Sequence, residues 1–315
     1  MKARKLMASL SLLTFSALVL GACSADNNGS KDSSTKESTT EVSTKESTKE
    51  STTESSAPEK VAGADLQDGT YTLKEKNDSN GYHVEFTMTV KDGKITETDY
   101  DYKNAEGKSK KDDAEYEKNM KDKSGVGPAE FIPALNEALV KAQSASGVEI
   151  VTGATHSSEA FQNYAQQLIQ AAQAGKTDTI EIDNGAELKD GTYTLKEKND
   201  SNGYHVEFSM TVAGGKVTES NYDYKSADGK SKKDDADYEK NMKAKSGVGP
   251  AEFIPQLNEN FLTAMGGEKP SAGNTEVVTG ATHSSHAFIM YAQQLINAAE
   301  KGDTAEITVD NIVTK

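Results

Sequence analysis

Asp68-Gly69-Thr70-Tyr71-Thr72-Leu73-Lys74-Glu75-Lys76-Asn77-Asp78-Ser79-Asn80-Gly81-Tyr82-His83 returns unchanged at Asp190–His205. The residues after each copy decide the fold. Val84-Glu85-Phe86-Thr87-Met88-Thr89-Val90 alternates apolar and polar, Asp92-Gly93 is a turn pair, and Lys94–Tyr100 alternates again. That pattern predicts a β-hairpin. Further on, Lys123-Ser124-Gly125-Val126-Gly127-Pro128-Ala129-Glu130-Phe131-Ile132-Pro133 recurs at Lys245–Pro255. Asp190 lies 122 residues beyond Asp68 and Thr282 lies 127 beyond Thr155, so a small insertion falls around Gly266–Thr275 of the second copy. A unit of about 120 residues is a domain rather than a solenoid turn.

Within each copy the strands come first and the helices later. Phe131, Ile132, Leu135 and Leu139 have helical spacing, with Pro128 and Pro133 near the helix start. Phe161, Ala165, Leu168, Ile169 and Ala172 form a second stripe that Gly175 is placed to stop, and Thr179-Ile180-Glu181-Ile182 reads as a closing strand. Phe288, Ala292, Leu295, Ile296 and Ala299 repeat the last stripe in the second copy. The expectation is a compact α+β domain in two tandem copies, residues 63–184 and 185–315.

The N-terminal part has a different character. Lys2, Arg4 and Lys5 precede an apolar run, Leu6–Leu20, that suits a secretory signal peptide over residues 1–22. Leu20-Gly21-Ala22-Cys23 resembles a bacterial lipobox, which implies lipidation of Cys23 and an anchor in the cell membrane. Residues 23–62 are Ser, Thr, Lys and Glu with almost nothing apolar, and are expected to be a disordered linker. About 40 such residues span roughly 35 Å as a coil and at most ~130 Å when stretched.

Composition excludes much. Cys23 is the sole cysteine, so disulfides and cysteine-ligated zinc, iron–sulfur or attached haem centres are ruled out. The net charge of −15 becomes about −18 once the three cations of residues 1–22 are removed, and Arg4 is the only arginine. Nucleic acid is therefore a poor partner. Asp78-Ser79-Asn80-Gly81 reads as a turn rather than a calcium loop, because Lys76 and Thr87 occupy ligand positions. Gly125-Val126-Gly127-Pro128 lacks the lysine of a P-loop. Lys110-Lys111-Asp112-Asp113 reads as a solvated charge run, and Tyr82, His83, Tyr204 and His205 as a surface strand pair in preference to a pocket lining.

The motif with chemistry is Val151-Thr152-Gly153-Ala154-Thr155-His156-Ser157-Ser158, directly before the last helical stripe and repeated as Thr279-Gly280-Ala281-Thr282-His283. Local physics allows a plain capping turn, with Thr155 at or near the N-cap, or a helix N-terminus that takes a phosphate. The segment resembles the flavinylation motif of the FMN-binding domain family, found in the RnfG and NqrC subunits of bacterial redox pumps. That pattern is Asp, two variable residues, Ser/Thr, Gly, Ala, Ser/Thr. Thr152, Gly153 and Ala154 match with Thr155 as acceptor, and Thr279, Gly280 and Ala281 match with Thr282 as acceptor. Glu149 and Glu276 stand where the family has aspartate. The resemblance implies two covalent FMN groups, each a phosphoester installed by an ApbE-type flavin transferase.

The lipobox, linker and two domains together resemble the flavin lipoproteins of extracellular electron transfer in Gram-positive bacteria. This implies an electron carrier on the extracellular face of the membrane, without a specific substrate of its own. It would be fed by a membrane NADH dehydrogenase through quinone and drained by ferric iron or soluble flavins. The alternative is a non-redox surface lipoprotein, such as an adhesin or solute-binding module. His156, His283 and His286 are candidates for contact with the flavin, or else exposed first-turn residues.

Overall fold

Both copies of the Gly-Thr-Tyr-Thr-Leu-Lys-Glu heptad become strands whose tyrosine and leucine point into a core. The computed structural model describes residues 60–314; the expected signal peptide, Cys23 and most of the linker lie outside them. In the first half, β2 (Gly69–Glu75), β3 (His83–Lys91), β4 (Lys94–Lys103) and β5 (Ile180–Ile182) make one sheet in the order β4-β3-β2-β5. The expected hairpin is β3–β4, antiparallel, with Asp92 (φ 52°) and Gly93 (φ 71°) in its turn. β5 lies parallel to β2, Leu73 opposite Ile180. The second half repeats this with β6 (Gly191–Glu197), β7 (His205–Ala213), β8 (Lys216–Lys225) and β9 (Ile307–Val309).

Helices cover one face of each sheet. In the first half they are α1 (Ala114–Ser124), α2 (Pro128–Ala142) and α3 (Thr155–Ala174), and in the second α4 (Ala236–Ser246), α5 (Pro250–Met265) and α6 (Thr282–Lys301). Phe131, Ile132, Leu135 and Leu139 of α2, and Phe161, Ala165, Leu168, Ile169 and Ala172 of α3, are buried against Tyr71, Leu73, Val84, Phe86, Met88 and Tyr100 of the sheet. Asn136 docks α2 on the sheet: its side chain accepts from Tyr100 N (2.8 Å) and donates to Tyr100 O (3.0 Å). Gly175 ends α3 in the left-handed conformation, φ 64°. The fold is thus mixed α+β in two similar halves, as the periodicity predicts.

The halves meet along α3 and α6. Glu159 faces His286 near one end (3.9 Å). Further along, Asn163 and Gln167 donate to Asn297 Oδ1 (3.1 and 3.2 Å). The helices therefore run side by side with their first turns at the same end. Glu300 accepts from Gly185 N (2.7 Å), and Gln173 donates to Asp310 O (2.7 Å). A two-stranded ribbon closes the unit, β1 (Lys60–Ala62) antiparallel to β10 (Val313–Thr314). This corrects the linker boundary: residues 60–62 are paired strand rather than linker, because the backbone of Val313–Thr314 supplies partners that composition cannot reveal. Among the described residues no helix is long and apolar enough to cross a membrane.

Candidate functional site

The Thr-Gly-Ala-Thr segments form a tight turn that feeds the first residue of α3 and of α6. Ala154 N donates to Val151 O (2.9 Å), and Ala281 N to Val278 O (2.9 Å). Gly153 (φ 84°) and Gly280 (φ 82°) are left-handed, where other residues pay a steric cost. A Cβ on Gly153 would also lie 2.2 Å from Ser124 O, and one on Gly280 2.3 Å from Ser246 O. The turn is thus pressed onto the end of α1 or α4, and only glycine fits there.

Ala154 and Ala281 are the N-caps and provide no side-chain cap. Thr155 and Thr282 are consequently the first helical residues, next to the N-cap as expected, and both are exposed. Their backbone N–H groups belong to an uncapped helix start, which favours an anion. Thr152, Thr279, Glu149 and Glu276 are exposed around them.

The residue that fixes the turn is the second serine of each motif, which has no role in the sequence analysis. Ser158 Oγ donates to Ala154 O (3.0 Å) and accepts from Val151 N (3.0 Å). Ser285 does the same with Ala281 O (2.9 Å) and Val278 N (3.1 Å). Both serines are fully buried. The signal was a repeated Ser-Ser, but which serine turns inward depends on packing.

Beside the turns lies a set of tyrosines. Tyr164 of α3 donates to Glu75 Oε1 (2.6 Å), while Glu75 Oε2 accepts from Val84 N (2.8 Å). Tyr291 and Glu197 repeat the pair at 2.6 Å. Burial raises the pKa of Glu75 and Glu197, and these hydrogen bonds only partly offset it. Tyr100 donates to Tyr102 (2.7 Å), and burial pushes the Tyr102 hydroxyl up to about 12.

Two sequence expectations fail here. Tyr82 is buried, not a surface strand residue: its hydroxyl donates to Asp113 (2.6 Å) and its ring sits edge-on to Tyr116 at 5.8 Å. Lys110 is no solvated charge but is 7% exposed, held among aromatic rings, while Lys111 pairs with Asp101 (3.0 Å) and Asp113 caps α1. The rings come from β4, α1 and the β2–β3 loop, so nothing local to the Lys-Lys-Asp-Asp run announces them. His83, in contrast, sits at the strand start and pairs with Asp78 (2.8 Å).

Between the halves a cleft of about 450 Å³ opens at His283 and Ser284, the residues that follow Thr282, with Ser144 and Gln166 of the first half on its other side. His283, Ser284, Tyr204, Tyr224, Tyr291 and Lys232 are among its lining residues. Four other clefts are larger: about 660 Å³ along the C-terminal halves of α3 and α6, about 720 Å³ against β7–β8, about 570 Å³ beside Ala62 and residues 196–200, and about 570 Å³ between α2 and residues 149–151, next to the first Thr-Gly-Ala-Thr turn. The remaining histidines go elsewhere. His156 Nδ1 is 3.6 Å and His286 Nδ1 3.9 Å from the buried Glu159 carboxylate between the halves. The facing Glu159 carboxylate raises the pKa of His156, whereas burial lowers that of His286.

A family model for the FMN-binding domain matches residues 81–170, which span the hairpin, the α1–α2 region and the first Thr-Gly-Ala-Thr turn. The 15 kDa lipoprotein of Treponema pallidum (strain Nichols) is 34% identical over 116 residues, covering 36% of this chain and 82% of its own length. The chain belongs to the FMN-binding domain family. Among solved structures, the CPE2226 protein of Clostridium perfringens is 40% identical, covering 38% of this chain and 98% of its own, with a TM-score of 0.36. The residues present suit the group for which the FMN-binding domain family is named. An exposed hydroxyl stands on an uncapped helix start, on a turn too tight for any side chain at its glycine. Beside it is a cleft within the usual ligand range of roughly 300–1,000 Å³, walled by tyrosines.

Proposed function

We propose that the protein is an electron carrier with two covalently bound FMN groups, one on Thr155 and one on Thr282. The observation that carries this reading is the acceptor turn itself, built twice with the same geometry: an exposed threonine hydroxyl at the first helical position, held forward by a left-handed glycine and a buried serine. FMN supplies reversible uptake of electrons when attached. The protein's own work is to fix the phosphoester at the helix start and to present the ring on a rigid support. Covalent attachment suits an exported protein, because a dissociable complex empties once free flavin falls far below its dissociation constant.

On this reading an ApbE-type flavin transferase modifies both threonines. Lipidation of Cys23 tethers the carrier to the outer face of the cell membrane, in keeping with its Treponema relative, a lipoprotein. Electrons come from a membrane NADH dehydrogenase through quinone and leave to ferric iron or soluble flavins. The side-by-side packing of α3 and α6 supports a relay, since both acceptors start helices at the same end of the seam.

The test is intact-mass analysis of the chain produced with the transferase. The expected result is two FMN increments, one remaining in Thr155→Val or Thr282→Val, and none in the double variant. Neither threonine caps its helix, so both single variants should melt like the parent. A colourless protein without increments would leave the adhesin or solute-binding alternative standing.

A further inference from the structure

Lys110 and Lys232 occupy equivalent places, and each is a cation in an aromatic cage. Lys110 Nζ lies 4.0, 4.6 and 4.8 Å from the ring centres of Tyr102, Tyr116 and Tyr82. Lys232 Nζ lies 4.1, 4.5 and 5.2 Å from those of Tyr238, Tyr224 and Tyr204. The two lysines are 7% and 8% exposed. Their neighbours Lys103 and Lys111 both reach the Asp101 carboxylate. Among the described residues no carboxylate forms an ion pair with Lys110 or Lys232. An ammonium group brings three donors to a place where ring faces are its nearest neighbours, and the Glu75 and Asp101 carboxylates near Lys110 and Glu197 near Lys232 act on it from beyond ion-pair distance.

Burying a cation without an ion-pair partner is costly, and burial brings Lys110 down to about 8. A methionine of similar length would fill the cage at lower cost. Yet the arrangement is present in both halves. In the second, the cage opens into the cleft that His283 and Ser284 enter from the acceptor turn. In the first, Ser157 of the acceptor turn stands next to Tyr102. The free donors therefore face the place that a group esterified to Thr282 or Thr155 would reach.

Resting on the assignment of those two acceptors, we propose that Lys232 and Lys110 are the positive charges that stabilise the reduced flavin ring in each half. Two electrons and one proton from an external two-electron donor such as a quinol convert the neutral oxidised ring to a reduced ring with one negative charge. The donor's second proton goes to water, and no bond to the protein forms or breaks. The ammonium then gains the anionic partner it lacks in the free protein. A charge-assisted hydrogen bond of this kind is strong enough to favour reduction about tenfold.

The experiment uses the full chain made with the transferase, in a Thr155→Val background so that only the second flavin reports. Intact mass first counts the adduct; its absence in the parent would defeat the acceptor assignment and not the lysine. Spectroelectrochemical titration then compares Lys232, Lys232→Arg and Lys232→Met. The expected result is a tenfold loss of preference for the reduced ring in Lys232→Met, read as a midpoint about 30 mV lower for a two-electron couple, with Lys232→Arg near the parent. Equal midpoints in folded, flavinylated Lys232→Met and parent would overturn the proposal. A second measurement needs no lysine variant: amine labelling of Lys232 should fall when Thr282 carries its flavin and rise in Thr282→Val. Labelling that ignores the flavin would equally refute it. The Lys110→Met variant in a Thr282→Val background repeats the titration for the first half.

Discussion

Replacing Gly153 by alanine tests the acceptor turn by adding one methyl group. Two costs are separable. The left-handed φ of 84° costs a non-glycine residue about 1–2 kcal/mol. The new Cβ would also sit 2.2 Å from the Ser124 carbonyl oxygen and 3.1 Å from Val126 Cγ1. That oxygen belongs to backbone at the end of α1 and must move by about 1 Å to reach ordinary contact, an overpacking cost of about 1–3 kcal/mol. Gly81 provides the control, since its φ is 81° and a Cβ there meets nothing within 4 Å. Gly81→Ala should therefore show only the conformational cost. A unit of this size loses roughly 2–4 °C of Tm per kcal/mol, so thermal melts should place Gly153→Ala about 4–20 °C below the parent and Gly81→Ala about 2–8 °C below it. Mass analysis should show the Thr155 increment lost or reduced in Gly153→Ala and both increments kept in Gly81→Ala. Equal melting shifts in the two variants, with full modification of both, would refute the close approach of the turn to α1.

Two further predictions concern buried carboxylates. Asp101 is 1% exposed and accepts from Ser109, Lys103, Lys111 and Tyr102 N. Burial alone would raise its pKa, but these bonds outweigh it and the folded pKa is lowered. Its contribution is then present above the unfolded value near 3.8 and lost as pH falls through the folded value. Asp101→Asn should cost about 2 kcal/mol at pH 7 and progressively less below about pH 4; a urea midpoint difference that does not change between pH 7 and 3 contradicts this. Glu75 behaves oppositely. Its folded pKa is raised, so its contribution is complete below the unfolded 4.5 and declines as pH rises through the folded value. Tyr164→Phe removes the donor to this carboxylate and should cost about 1–3 kcal/mol, more at pH 7 than at pH 4, by the same denaturation assay; a larger loss at pH 4 would show that Glu75 is not the partner that matters.

Much of this fold is written in its local pattern. Alternation around Asp92-Gly93 specifies the hairpin, the stripes Phe131–Leu139 and Phe161–Ala172 specify core helices, and Gly175 marks a stop. In each case the deciding neighbours are within a turn or a hairpin of one another. The Thr-Gly-Ala-Thr turns were legible for the same reason, since a short contiguous motif directly before a helical stripe carries them. The cages around Lys110 and Lys232 were not. Their rings arrive from three separate elements, and a lysine next to another lysine gives no sign of which one is buried. The seam was also hidden: Glu159 and His286 are aligned positions of the two copies, and only packing shows that they face each other. The Lys60–Ala62 strand escaped because its partner is at the opposite end of the sequence.

The return strands carry a last consequence. β5 adds to Gly69–Glu75 and β9 to Gly191–Glu197, and those two edges are the same seven residues. The edge cannot tell one returning strand from the other. Chain proximity does not select the native edge, since β5 lies closer along the chain to Gly191–Glu197 than to Gly69–Glu75; the link to Gly191 is too short for a parallel crossover, and the packing of α3 on β2 brings β5 to its partner. At high protein concentration a strand from another molecule competes on equal terms. Refolding from denaturant should thus yield exchanged dimers in proportion to concentration, and altering one edge heptad should suppress them.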